Sequence, residues 1–190
     1  GRYRGTVVDG PEYETACMFG PNIGVQNFAA ILKANQLCDE LGIDTITAGN
    51  LIGVLMEAQE TGLLSEKDLD GLNLKWGAEE AILETVHRIA HRKGIGNVLA
   101  DGSYGVIKHW PQLKPIISQV KGLEQSAYDA RIAISMALGY ATSDIGAHHA
   151  RAWTIAKELE MGMGWPLEKK ADLVIYHQTL RPLFDMLGVC

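Results

Sequence analysis

At 190 residues and 47% hydrophobic content, the chain is long enough to bury one substantial core or two small ones, and its composition gives no sign of disorder. A formal net charge of -6, 21% charged residues and no long basic run remove the electrostatic footprint that nucleic-acid binding needs, so no nucleic acid is expected as a partner. The longest apolar stretch, Ile46 to Met56, is interrupted by Thr, Asn and Gly and falls far short of the roughly 20 residues that span a bilayer, which argues against a membrane protein.

In chain order, Gly5, Gly10, Pro11 and the β-formers Thr6-Val7-Val8 predict a loop or short strand that delivers residues 11–15. Val25 to Leu41 carries apolar residues at the helical period and meets its stop at Gly42. A second helix is expected from Thr45 to Thr61, then a capped turn from Ser65 to Asp68, then a third helix from Ala78 to Arg92. Gly102 to Gln125 reads as irregular, broken by Pro111 and Pro115, with a brief strand over Ile117 to Leu123. Helical pattern returns over Arg131 to Thr142, Gly146 to Leu159 and Leu167 to Leu187, where Pro182 should kink or divide the last helix. The fold class is therefore all-α, an irregular array of two packed helical lobes, with a soft boundary between Trp110 and Gln119.

The cysteines, Cys17, Cys38 and Cys190, are scattered and odd in number, which fits a reducing compartment, the cytoplasm by default, better than a disulfide scaffold. The chain starts at Gly1 without an initiator Met and stops straight after a helix-end signal, which reads as a piece of something longer.

One internal echo stands out. Residues 37–44 and 183–190 both read Asp-x-Leu-Gly-aliphatic followed by Asp or Cys. A left-handed Gly with an aliphatic residue packing back onto the helix makes a sharp, rigid corner. Asp39 and Asp185 then sit where the helix dipole disfavours an anion, so each is expected to face a donor-rich partner. Taken singly, Leu-Gly-aliphatic is a common helix stop. As a pair, the corners could grip an aminopyrimidine edge through charge-assisted hydrogen bonds, as in a pterin. Cys190 reads either as a thiolate metal ligand or as a small buried hydrophobe.

These corners, with Gly10-Pro11-Glu12-Tyr13-Glu14-Thr15 and Tyr140-Ala141-Thr142-x-x-x-Gly146-x-x-His149, resemble the aldehyde:ferredoxin oxidoreductase family over essentially the whole chain. Gly20-Pro21-Asn22-Ile23-Gly24, Gly94-Ile95-Gly96, Leu99-Ala100-Asp101-Gly102 and Lys121-Gly122-Leu123-Glu124 followed by Ala127-Tyr128-Asp129 extend the likeness in order. The resemblance implies a tungsten or molybdenum ion held by two pterins beside a 4Fe-4S cluster, oxidation of aldehydes to acids, and ferredoxin as electron acceptor; relatives that reduce the rings of aromatic thioesters share the family. Residues 1–110 and 111–190 would be its second domain and a truncated third.

Carried over, Asp39, Ile43 and Asp44 would bind one pterin, Asp185 and Val189 the other, and Cys190 would be the fourth cluster ligand. The remaining cluster cysteines and a β-rich amino-terminal domain would lie upstream of Gly1, so the piece alone is expected to be inactive. Glu14 and His149 match an acid and a histidine near the metal; a carboxylate there can take a proton from water and a histidine can donate to a carbonyl oxygen, and the sequence leaves open which of the two does which. Outside the resemblance, such a Glu is commonly a surface or capping residue and such a His a merely hydrogen-bonded one.

Departures from the family pattern also carry expectations. Arg151 stands where some members have a lysine near the pterin phosphates, and keeps the charge. His148 replaces a cysteine. Lys33 and Leu83 replace a Glu and a His that bind an iron between subunits, so a homo-oligomer would lack that iron. The rival reading is a di-metal helical protein built on Glu84-x-x-His87 and His91, yet the second such motif is not evident and Arg88, Arg92 and Lys93 suggest a solvated face. A catalytically silent helical interaction domain is the third reading.

Overall fold

The computed structural model describes residues 1–162 and 164–189, and the chain forms two units, Gly1–Ser118 and Gln119–Cys190. The fold is all-α apart from one short hairpin. The first unit holds α1 (Tyr13–Met18), α2 (Phe28–Leu41), α3 (Thr45–Glu60), α4 (Glu79–Ala90), α5 (Gly96–Leu99) and α6 (Gly102–His109), with 3-10 turns at Pro21–Ile23 and Pro111–Ile116.

Asn27 starts α2 by accepting the Ala29 amide at 3.2 Å, and Gly42 ends it in the left-handed region. Helix α3 runs through the centre of the core: Leu51, Ile52, Leu55, Met56 and Ala58 are all buried, with Glu57 and Glu60 left on its outer side. Around it pack α1, α4 and α6. The closest approach depends on a missing side chain, since a Cβ on Gly49 would stand 2.6 Å from the Met18 Cβ. Helix α4 buries Ile82, Val86 and Ile89 along one stripe, with acids in its first turn and His87 and Arg88 in its last, in line with its dipole.

The opening segment departs from the expected loop or strand. No strand forms at Thr6-Val7-Val8, and Glu14 and Thr15 lie inside α1. A helix of six residues has almost no stability of its own. It is held by packing on α3 and by a hydroxyl–hydroxyl bond of 2.9 Å between Thr15 and Thr45. Helix α6 likewise occupies part of the stretch read as irregular, and Pro111 and Pro115 fall in the 3-10 turn after it.

In the second unit, the segment Ile117 to Leu123, expected as a single strand, instead reverses within a hairpin: β1 (Gln119–Val120) pairs antiparallel with β2 (Leu123–Glu124), Gln119 opposite Glu124. Lys121 and Gly122 make its two-residue turn at positive φ, the geometry that suits the strand twist. Helices α7 (Ile134–Thr142), α8 (Ile155–Met161) and α9 (Leu167–Met186) follow. The helix expected from Gly146 to Leu159 is broken, with a 3-10 turn at His149–Arg151 before α8. Pro182 does not divide α9, although it has no amide to donate.

The apolar core of this unit is small: Ala133, Met136, Tyr140 and Ala147. A buried polar knot adds to it. Lys170 Nζ lies 2.6 Å from Glu158 Oε1, Glu158 Oε2 accepts the Ser135 amide at 2.8 Å, and the Ser135 hydroxyl bridges Glu158 and Thr154. Burial alone would raise the Glu158 carboxyl, but the bonds from Lys170 and Ser135 outweigh it and hold the group below the usual carboxylate range. No helix among the described residues is long and apolar enough to cross a membrane.

Candidate functional site

The first corner lies in the first unit. Gly42 sits at φ 68, and the Ile43 amide reaches back to the Cys38 carbonyl at 2.9 Å, closing the helix end by a Schellman bond. Asp39 is exposed, and its Oδ2 accepts from the buried Asn35 amide group at 2.7 Å. Asp44 Oδ2 accepts the Thr47 amide at 2.7 Å, so this candidate ligand is also the N-cap of α3. Next to Asp39, Cys38 is fully buried, and its thiol is pushed up to about 12 by burial and then by Asp39 and Asp44. Such a thiol is inert at neutral pH. Glu14 belongs to the same unit, buried at 9% exposure in the first turn of α1, and the Thr15–Thr45 bond ties α1 to the residue beside Asp44.

In the second unit, the hairpin clamps the loop that carries His149. Lys121 Nζ donates to the Ser143 carbonyl at 2.8 Å and the Asp144 carbonyl at 3.1 Å, and the Ser126 amide donates to the Ala147 carbonyl at 3.2 Å. A side chain at Gly146 would collide with the Val120 carbonyl, with a Cβ only 2.4 Å away, so the loop passes the hairpin where only glycine fits. His149 follows, its Nδ1 2.9 Å from Ser126 Oγ and its ring stacked on His148 at 4.8 Å between centroids. Burial, then the charges of His148 and Arg181, push the His149 pKa down to about 4, so the ring is neutral at pH 7.

Two residues on, Arg151 binds Asp185 of α9, and its Nε stands 3.0 Å from Asp144 Oδ1 without the alignment of a hydrogen bond. The donor-rich partner expected for Asp185 is thus supplied by the chain itself. Arg181 fastens α9 to the same turn through the Ala150 carbonyl at 2.9 Å. The second corner repeats the first in its backbone: Gly188 at φ 66, and the Val189 amide on the Phe184 carbonyl at 3.0 Å. Val189 itself is exposed, and Cys190 lies outside the described residues.

A model of the family described as aldehyde ferredoxin oxidoreductase, domains 2 & 3, matches residues 1–190. The chain belongs to the aldehyde ferredoxin oxidoreductase family. Two tungsten-containing aldehyde ferredoxin oxidoreductases, from Pyrococcus furiosus and Thermococcus kodakarensis, are each 36% identical to it over 193 residues, covering 96% and 97% of this chain. The chain spans 31% of the length of each. A Pyrococcus furiosus protein named aliphatic sulfonate oxidoreductase, WOR-like subunit, is 36% identical over 132 residues, 70% of this chain and 20% of its own length.

Within this chain, Glu14, Asp39, Ile43 and Asp44 share one unit, and His149, Arg151, Asp185 and Val189 share the other. The rival residues behave as a solvated face: Glu84 pairs with Arg88 at 2.8 Å, and His87 and His91 are exposed. Among the described residues, no group of three or more His, Cys, Asp or Glu converges as a metal site. Sequence reasoning missed Ser126 and Asp144, which have no local signal because their partners lie 23 and 7 residues away. The capping role of Asp44, directly before Thr45 of α3, did carry a signal, a capping residue at the start of an apolar run.

Proposed function

We propose that this chain forms helical walls of a tungsten or molybdenum bis-pterin site, in an enzyme that oxidises aldehydes to carboxylic acids and passes electrons through a 4Fe-4S cluster to ferredoxin. The observation that carries the reading is the repeated corner: α2 and α9 end in the same backbone closure, each with an aspartate three residues before the left-handed glycine. Asp39, Ile43 and Asp44 would line one pterin, Asp185 and Val189 the other, and Cys190 would complete the cluster. Carboxylates at rigid corners suit the N–H edge of an aminopyrimidine. They suit a phosphate poorly, because both are anions, and Arg151, the nearby cation, is already shared by Asp144 and Asp185. Arg151 then acts chiefly by orienting Asp185, and would reach a pterin phosphate by releasing Asp144.

When bound, the metal centre supplies the acceptor for the two electrons that an aldehyde and a water release on forming an acid. The chain's own residues handle the protons. Glu14, buried in α1, takes one from the attacking water, and His149, neutral at pH 7, donates to the carbonyl oxygen as charge grows there. The two units, Gly1–Ser118 and Gln119–Cys190, correspond in this reading to the second and third family domains. Lys33, bonded to Gln36 at 3.0 Å, and Leu83 cannot ligate iron, so a homo-oligomer would lack the bridging ion. The scattered cysteines fit the cytoplasm. The likeness to a protein named as an aliphatic sulfonate oxidoreductase supports a second substrate reading, an aliphatic sulfonate in place of a simple aldehyde.

The full polypeptide, purified without oxygen, is expected to hold tungsten or molybdenum and about four irons per chain. No metal overturns the reading, and about two irons per chain without pterin would favour the di-metal reading at Glu84 and His87. Glu14→Gln is expected to keep the metals and lose aldehyde oxidation; loss of metal from that variant makes Glu14 structural instead.

A further inference from the structure

Ser126 follows the hairpin by two residues and is buried at 2% exposure. Its hydroxyl oxygen accepts the His149 amide at 3.2 Å and lies 2.9 Å from His149 Nδ1. The competing acceptor for its proton is the Ala147 carbonyl at 3.5 Å, which already takes the Ser126 amide. A hydroxyl has one proton to give, and a contact at the outer limit of hydrogen bonding loses to one near the ideal length. The shorter contact therefore favours a proton directed at Nδ1. A neutral imidazole that accepts at Nδ1 carries its own proton on Nε2.

We propose that Ser126 is a positioning residue that fixes His149 as the Nε2-protonated tautomer, which makes His149 a hydrogen-bond donor to substrate oxygen rather than a base. The use of that donor in aldehyde oxidation rests on the reading under Proposed function; the tautomer does not. The surroundings of His149 keep the ring in the neutral form that a single tautomer requires. His148 stacks on it at 4.8 Å and Tyr128 lies 5.5 Å away, while Arg181 approaches from α9, and the buried ring stays neutral down to about 4. A neutral donor can polarise a carbonyl without a charge that must first be desolvated.

The test uses the full polypeptide labelled with nitrogen-15 histidine, with the His149 ring signals assigned by their loss in His149→Gln. At pH 7, Nδ1 is expected to be unprotonated and Nε2 protonated. A protonated Nδ1, alone or with Nε2, overturns the proposal. Ser126→Ala is expected to give a mixture of tautomers and Ser126→Thr to restore the single one; an unchanged pattern in Ser126→Ala also overturns it. In turnover, Ser126→Ala should lower kcat about 10-fold with little change in KM, with recovery in Ser126→Thr. Full activity of Ser126→Ala removes the positioning role. A chain that shows the expected nitrogens but oxidises no aldehyde sinks the proposed function and leaves the Ser126 assignment standing.

Discussion

The ends of α2 and α9 share a backbone closure and differ in how deeply their apolar side chains are buried. Both close on a left-handed glycine with the following aliphatic amide bonded back to the helix. At the first end, Leu37 and Cys38 are 5% and 0% exposed and Ile43 packs against the core. At the second, Leu183 and Val189 are 53% and 50% exposed. Helix α2 is thus held along its length by apolar burial. Helix α9 is held near its start, where Lys170 and Val174 are its buried residues, and by Arg181 on the Ala150 carbonyl. A Schellman closure is a local hydrogen-bonding solution, and it forms alike on a packed helix and on one whose apolar side chains stand in solvent.

The comparison can be broken most forcefully at the anchor of α9. Lys170→Met leaves Glu158 charged and buried without its cation, and is expected to destabilise the second unit by about 3–5 kcal/mol in denaturant titrations. The same pair has a pH signature. Because the folded Glu158 pKa is held below its ordinary value, its contribution is complete above the ordinary value of 4.5 and is lost as pH falls through the lower folded one. Wild-type chain should accordingly lose more stability on acidification than Lys170→Met, and equal acid sensitivity would remove Glu158 from the account.

Next in size, Leu37→Ala is expected to cost about 2–5 kcal/mol, whereas Leu183→Ala should cost about 0.5 kcal/mol or less as the surface change it is. Equal losses would mean that the end of α9 is buried in the folded protein. Gly42→Ala and Gly188→Ala sharpen the likeness instead. A Cβ meets nothing within 4 Å at either glycine, so each should cost the same left-handed penalty of about 1–2 kcal/mol. Small as well is Asp185→Asn, where an exposed ion pair with Arg151 predicts about 0–1 kcal/mol in stability. Its larger effect should be on pterin content, measured by cofactor release, and undiminished content would separate Asp185 from the proposed site.

What the sequence made legible was periodic or locally signalled. Helices α2, α3, α4, α7 and α9 follow from apolar spacing over long segments, and the two glycine stops from residue type. Helix α1 was hidden because its stability comes from α3, some thirty residues away, through Thr15, Thr45 and Gly49. The break at His149–Arg151 was hidden for a similar reason: the turn answers to Ser126, Asp185 and Arg181, none of them its neighbours in sequence. At the candidate site, acid and base types could be named in advance. Their distant partners could not: Ser126 for His149 and Arg151 for Asp185 depend on which side chains the fold brings together, whereas Asn35 lies one turn before Asp39 on α2 and follows from helical spacing.

Gly49 sets a separation. With the Met18 Cβ 2.6 Å from where its own would be, α1 rests on the α3 backbone with no room for even a methyl between them. The acid on α1 therefore has its standoff from the central helix gauged by bare main chain, a spacer that does not change rotamer or charge. Adding one carbon there would wedge the short helix outward and carry Glu14 with it, while every polar group proposed to take part in chemistry kept its identity.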